Sequence, residues 1–268
     1  MRFFATALVF CGVASFGQAP QVPHKMHFAG MTLTFTADAR RDIQKDVDAL
    51  TSSPRYFNIK VERAKTYFPI IEKIFKDEGV PDELKYLVIQ ESALISDAVS
   101  TSNAVGYWQF KAETAKEMGL KIDHRVDERM NIVAASRGAA KYFKQSNNYF
   151  NNWLLVVQSY QMGIGGTMRA TDEEHMGSRH MEVNSDTYWY VKKYLAHKIA
   201  FEHALGGKGQ VEVTPVLASG VSLDEISEKS GVDMEKLKDY NKWMKNGNVP
   251  DDKEYTVVIP KGDLNDFI

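Results

Sequence analysis

One carboxylate stands where the pattern calls for an apolar side chain. Leu84, Leu87 and Val88 recur at three- and four-residue steps, and Glu91 follows them by seven, four and three residues, on the same helical face. Burial there disfavours the charged form, raises the pKa and keeps the proton on near neutrality, which is what a general acid needs. A core glutamate paired with a distant Arg or Lys would show the same spacing, and spacing leaves both readings open. Pro81 suits the first position of such a helix, with Asp82 and Glu83 at its positive end.

Ten to twenty residues on, the polar run Ser100-Thr-Ser-Asn-Ala-Val-Gly106 leads into Tyr107-Trp108-Gln109-Phe110. Aromatic faces and amides are what sugars require: Trp108 or Tyr107 to pack on a ring, Gln109 to bond its polar edge, although aromatics at this density also build cores. Glycosidases ordinarily flank the bond with two carboxylates. Asp97, Asp123, Asp127 and Asp186 qualify by residue type, and nothing in their spacing selects one. His175 and His180 lie five apart, and His197 and His203 six apart, neither being the four-residue step of a helical zinc pair. Gly163-Ile-Gly165-Gly166 follows a helical pattern and lacks the Lys-Ser or Lys-Thr of a phosphate loop, which favours close backbone approach to a sugar or a helix.

These residues need a scaffold, and the periodicity makes it helical. Segments at roughly 38–51, 61–78, 82–91, 111–118, 131–145, 153–161 and 188–205 carry apolar residues at helical steps, with no comparable run of alternating strands before residue 208. Residues 18–36, with Pro20, Pro23 and Gly30, read as an extended leader. Gly206-Gly207-Lys208-Gly209 reads as a flexible domain boundary. Beyond it Val211 and Val213 alternate with polar residues, as do Tyr255, Val257 and Ile259; between them Ser222 and Glu225 form a capping box and Asp233 can cap a second helix. The result is a mainly α protein with a small β-α-α-β unit at its end.

Arg2, the apolar run from Phe3 and the small residues before Pro20 have the order of a signal peptide, residues 1–17, so export to the periplasm or cell envelope is expected. Cys11, the one cysteine, falls inside it, which leaves the mature chain without disulfide or thiol chemistry. Thirty-three Lys and Arg against thirty-five Asp and Glu give a net charge of -2, so no global positive field recruits nucleic acid or anionic lipid. A sugar partner fits better.

Taken in order, Glu91-Ser92, Gly106-Tyr107-Trp108-Gln109-Phe110, Asp127-Glu-Arg129-Met-Asn131-Ile132, Ser159-Tyr160-Gln161-Met-Gly163 and Tyr190-Val191 resemble the motif series of the soluble-type, goose-lysozyme-like lytic transglycosylases, in particular the membrane-bound lytic murein transglycosylase D type. Ser222-Leu223-Asp-Glu225-Ile226, Gly231-Val232, Leu237, Asn241 and Ile259-Pro260 resemble a LysM module. The resemblance implies an N-terminal extension and first helix over 18–56, a lysozyme-like catalytic domain over 57–207 and a LysM-like glycan-binding domain over 208–268. It implies cleavage of peptidoglycan between N-acetylmuramic acid and N-acetylglucosamine with 1,6-anhydromuramic ends. Glu91 would act as the single acid and then base, without metal or cofactor. Ser92, Gly106, Tyr107, Trp108, Gln109, Tyr160, Gln161 and Tyr190 would bind substrate, Arg129 and Asn131 would be structural, and Ser222, Leu223 and Asn241 would belong to the glycan-binding module. Two positions depart from the family: Val105 replaces a usual Ser and Gln161 a usual Asn. A hydrolysing muramidase and a non-catalytic wall-binding protein are the rival readings. Lys192, Lys193 and Lys198 read as a solvated helix face, or as contacts to an anionic glycan or peptide stem.

Overall fold

The computed structural model describes residues 19–261. The expected signal peptide and Cys11 lie outside the described residues. Two strands open the chain, β1 (Lys25–Phe28) and β2 (Met31–Phe35), followed by α1 (Ala37–Thr51) and the long α2 (Pro54–Glu78). Then come a 3-10 turn (Asp82–Tyr86), α3 (Leu87–Ser92), α4 (Ala112–Glu117), α5 (Ile132–Phe150), α6 (Trp153–Met162), α7 (Ile164–Ala170), β3 (His180–Val183) and α8 (Trp189–Glu202). The terminal unit is β4 (Glu212–Ala218), α9 (Leu223–Ser230), α10 (Met234–Tyr240) and β5 (Tyr255–Lys261). None of the described helices is long and apolar enough to cross a membrane.

The segment read as a leader is a packed β-hairpin. Ala29 and Gly30 turn the chain with positive φ, Phe28 pairs with Met31, and β2 takes β3 as a parallel neighbour on its other edge. Phe28, Met31 and Leu33 are buried in the main core. The Thr alternating with Met31, Leu33 and Phe35 is the period-2 signal that the sequence reading passed over. The sheet closes over α8, where Phe28 meets the edge of Tyr194 at 5.7 Å.

Helix α8 is the centre of the body. Ten of its residues, from Tyr190 to Phe201, are buried, and α1, α3 and α6 pack on it. Each fully buried large apolar side chain contributes about 1.5–3 kcal/mol. The α2 helix starts with Pro54 in its first turn and ends at Gly79, whose φ of 70 only glycine adopts readily. The expected helix over 82–91 is two pieces. Pro81 precedes the first turn with an extended backbone, and its carbonyl accepts from Leu84 N at 3.2 Å, three residues on, so the chain winds tightly before relaxing into α3.

The C-terminal unit has the expected order, its strands antiparallel from Glu212↔Lys261 to Ala218↔Tyr255. Its first helix carries the Ser222–Glu225 capping box, and Asp233 accepts from Glu235 N and Lys236 N. The unit is docked. Val126, from the helical body, is fully buried in the unit's own core with Leu223, Leu237, Trp243 and Val257. Asp127 N donates to Trp243 O at 2.9 Å, Asn131 Nδ2 to Thr256 O at 2.8 Å, and Lys253 pairs with Glu128 at 2.7 Å. The glycine-rich segment read as flexible lies against α2: a Cβ on Gly209 would sit 2.9 Å from Lys65 Cβ, and Gln210 N donates to Glu62 Oε2 at 3.0 Å.

Val126→Asp would place an unpaired charge inside that shared core. The expected outcome is a fall in the thermal midpoint of the whole chain within one calorimetric transition. Two transitions, with only the smaller one displaced, would mean that the unit folds by itself.

Candidate active site

Helix α3 ends at the residue that matters. Immediately after Glu91 and Ser92, Ala93 and Leu94 both take left-handed backbone, with φ of 51 and 60, and the chain turns out of the helix. Non-glycine residues held there cost about 1–3 kcal/mol each, which surrounding contacts must offset. Ser92 Oγ supplies one, donating to Tyr107 O at 2.6 Å. The loop is then stapled to itself: Gly106 N donates to Ala98 O, Val105 N to Phe110 O, and the Gln109 side-chain Nε2 to both Ala98 O and Gly106 O at 3.0 and 2.9 Å. Gly106 has φ of 85, and a Cβ would stand 2.0 Å from Arg129 O, so the loop lies flat on the Asp127–Asn131 segment only with glycine there.

The loop walls a cleft of about 470 Å³ whose lining includes Glu91, Gln109, Tyr160, Gln161 and Tyr190. Five residues nominated from sequence are thus brought together. Ser92 and Gly106 shape the wall from behind. Tyr107 and Trp108 are corrections: they are 1% and 0% exposed and cannot pack on a sugar. Tyr107 meets the ring of Tyr67 edge-on, while Trp108 Nε1 donates to Ser136 Oγ at 2.9 Å and the indole packs on Phe75 and Phe143. Trp108 acts through its backbone, its carbonyl accepting from Tyr160 Oη at 2.7 Å. Ser100, Ser102, Lys111, Thr114, Tyr142 and Met162 also line the cleft without having been nominated. Tyr142 was readable only as part of the α5 stripe; its ring meets Tyr160 edge-on at 5.2 Å.

Tyr190, on α8, donates its hydroxyl hydrogen bond to Glu91 Oε1. Burial pushes the Glu91 carboxyl up from the usual 4.5 to about 7, against the opposing pull of the Tyr190 bond and the Lys193 charge. Burial likewise holds the Tyr190 and Tyr160 phenols well above 10, so both remain neutral donors. Among the described residues that line the cleft, Glu91 is the only carboxylate. The other acids are engaged elsewhere. Asp97 pairs with Lys242, Asp127 with Arg129 by two hydrogen bonds of 2.7 and 2.9 Å, and Asp123 accepts from Arg125 N and Val126 N, which with Lys121 hold it near 2. Asp186 lines a neighbouring groove. Asn131 caps α5 by accepting from Val133 N and Ala134 N. Val105 is buried and bridges Val99 and Phe110, and Gln161 accepts from Tyr188 Oη at 2.5 Å. Among the described residues no group of three His, Cys, Asp or Glu stands close enough to hold a metal ion.

In the C-terminal unit, Leu223 and Asn241 are also corrections as ligand contacts. Leu223 is core, and Asn241 spends its amide inside, accepting from Val258 N and Trp243 Nε1 and donating to Leu237 O and Val258 O. Ser222 is spent on its cap but borders an open groove of about 480 Å³ together with Gly220, Asn246 and Asn248, and with Arg125 from the body.

Residues 68–180 match the family model of the transglycosylase SLT domain. The chain is 28% identical over 213 residues, 74% of its length and 47% of the relative's, to the membrane-bound lytic murein transglycosylase D of Escherichia coli strain K12, and equally to that of strain O6:H1. It spans about half the length of those relatives. Among solved structures, an inactive mutant of the lytic transglycosylase Slt from Pseudomonas aeruginosa is similar at 21% identity and a TM-score of 0.46, over 64% of this chain and 30% of that one.

A carboxyl that stays protonated to higher pH when folded than when unfolded makes stability fall as pH rises between the two pKa values, here from 4.5 to about 7. The accumulated cost is about 3 kcal/mol. Glu91→Gln is therefore expected to match the wild type in denaturant stability near pH 4 and to exceed it by about 2–3 kcal/mol at pH 8. An equal gap at both values would overturn the assignment.

Proposed function

We propose that this chain is a peptidoglycan lytic transglycosylase, with Glu91 as its one acid and base. The observation that carries the reading is the cleft itself: a lone carboxyl, held neutral to about pH 7, bonded by Tyr190 and walled by amide and phenol groups. A second carboxylate, which a two-carboxylate glycosidase requires, does not line it among the described residues. One group must then serve twice. Glu91 gives its proton to the glycosidic oxygen as the bond to the muramic anomeric carbon breaks and the substrate's own N-acetyl oxygen attacks that carbon. The resulting carboxylate takes the proton of the 6-hydroxyl as its oxygen displaces the acetamido group and closes the 1,6-anhydro ring. No water is consumed.

The similarity of residues 68–180 to the transglycosylase SLT domain and of the chain to the murein transglycosylase D type supports this reading. The expected signal sequence supports action in the cell envelope, with glycan strands as the partner. The β-α-α-β unit serves as a LysM-like wall-binding module, for which the open groove at Ser222 is the candidate site.

Incubation of the mature protein with purified peptidoglycan, followed by mass spectrometry of the soluble fragments, tests the proposal. Anhydromuramic ends from the wild type and none from Glu91→Gln are expected. Reducing ends would identify a hydrolysing muramidase, and no release despite binding to the wall would leave a glycan-binding protein. Tyr190→Phe removes a hydrogen bond that favours the Glu91 carboxylate. The rate is expected to drop about tenfold, the worth of one such bond, while the alkaline limb of the pH–rate profile moves upward from about 7. A downward move would show that the hydroxyl does not act on the carboxylate.

A further inference from the structure

Two consecutive residues of the C-terminal unit, Lys242 and Trp243, reach the loop that walls the cleft. Both lie between α10 and β5. Lys242 Nζ pairs with Asp97 Oδ2 at 3.0 Å. Asp97 precedes Ala98, whose carbonyl accepts from Gly106 N and from the Gln109 side chain. Trp243 O accepts from Asp127 N at 2.9 Å, and Asp127 holds the Arg129 guanidinium, whose Nη1 donates to Phe110 O at 3.2 Å. The stretch from Asp97 to Phe110 supplies Ser100, Ser102, Ala104, Gln109 and Phe110 to the lining of the Glu91 cleft. The unit thus grips that stretch at its two ends, at Asp97 directly and at Phe110 through the buried Asp127–Arg129 pair.

The loop has reason to need a grip. Its flanking Ile95 and Val99 are exposed, and its backbone passes through left-handed Ala93, Leu94, Asn103 and Gln109, a conformation that outside contacts must offset. The grip itself stands on a firm base. Tyr240, two residues before Lys242, is buried in the core of the body beside Tyr67, whose ring meets Tyr107 of the loop edge-on. Arg129 engages both Asp127 oxygens and a carbonyl at once, a planar fork that fixes direction as well as distance. The remaining bonds that dock the unit, from Asn131 to Thr256 O, Lys253 to Glu128 and Lys121 to Asp252, fall on the 121–131 segment and not on the loop. Lys242, half exposed, can therefore be changed without undocking the unit.

We propose that the C-terminal unit positions the wall of the catalytic cleft: Lys242, through Asp97, and Trp243, through Asp127 and Arg129, hold the 97–110 loop in place around Glu91. Lys242 and Arg129 are then positioning residues for the reaction, and the proposal rests on the reading of Glu91 as its acid. A released loop admits water to the carboxyl, which lowers its pKa and weakens it as a proton donor at neutral pH. The other groups that act on Glu91, namely Tyr190, Tyr160 and Lys193, stand on α6 and α8 and do not depend on Lys242.

The test uses the full chain as wild type, Lys242→Glu, Asp97→Lys and the exchanged pair Asp97→Lys/Lys242→Glu. Two quantities are read: the titration of the Glu91 carboxyl by carbon-13 NMR, and kcat and KM for release of anhydromuramic ends from soluble glycan strands. Lys242→Glu is expected to lower kcat about fivefold with KM unchanged, the reach of an exposed ion pair turned repulsive. It should also move the Glu91 midpoint downward from about 7 and leave wall binding and the thermal midpoint as they were. The exchanged pair should recover both quantities. An unchanged kcat and Glu91 midpoint in Lys242→Glu, a loss confined to KM or to wall binding, or no recovery in the exchanged pair would overturn the positioning role and leave the transglycosylase standing. Failure of the wild type to release anhydro ends would overturn the proposed function instead, while the carboxyl titration would still decide whether Lys242 holds the wall.

Discussion

The structure turns on the Glu91 carboxyl, whose surroundings favour its neutral form. Glu91 is half-buried on α3 against α8, and its one side-chain hydrogen-bond partner among the described residues, Tyr190, lies 99 residues away in sequence. Burial favours its protonated form, and that preference lasts only while the surrounding walls stay in place. The buried length of α8, the hairpin closed over it and the stapled loop after α3 all serve that condition. The cost falls on stability and the return is a proton available at neutral pH.

The same constraint explains where backbone strain is concentrated. Left-handed Ala93, Leu94 and Gln109 all lie within the segment that leaves Glu91 and returns as the cleft wall. The segment is restrained at several points: Ser92 holds Tyr107 O, Gln109 holds two carbonyls of its own loop, and Gly106 rests on Arg129 O. Removing flexibility there fixes the carboxyl relative to the Tyr160 and Tyr190 phenols, which come from other helices. Pre-organisation of this kind is what positions a general acid without rearrangement during the reaction.

Much of this was legible in the sequence, for identifiable reasons. The helices announced themselves by period, the caps at Ser222 and Asp233 by their chemistry, and Glu91 by being polar on an apolar stripe. What escaped notice depended on partners far along the chain. The β1–β2 hairpin was short and flanked by prolines, and its burial comes from β3 and α8, which no local pattern reveals. Trp108 and Tyr107 looked like a sugar platform because an aromatic suits a core or a ligand equally, and only the neighbours Phe75, Phe143 and Tyr67 decide. Asn241 matched its motif for a structural reason, the pairing of β5 with α10, rather than for ligand contact.

The docked C-terminal unit carries a consequence for how a polymer is handled. A module on a loose tether raises the local concentration of its ligand and accepts many geometries. Here Val126 is shared between two cores, and the glycine segment is laid on α2 instead of swinging free. The groove at Ser222 and the cleft at Glu91 therefore keep a constant separation and orientation. On the proposed reading of both sites, a strand that engaged both would be read as by a caliper, with the cut falling at a set number of sugars from the point of grip.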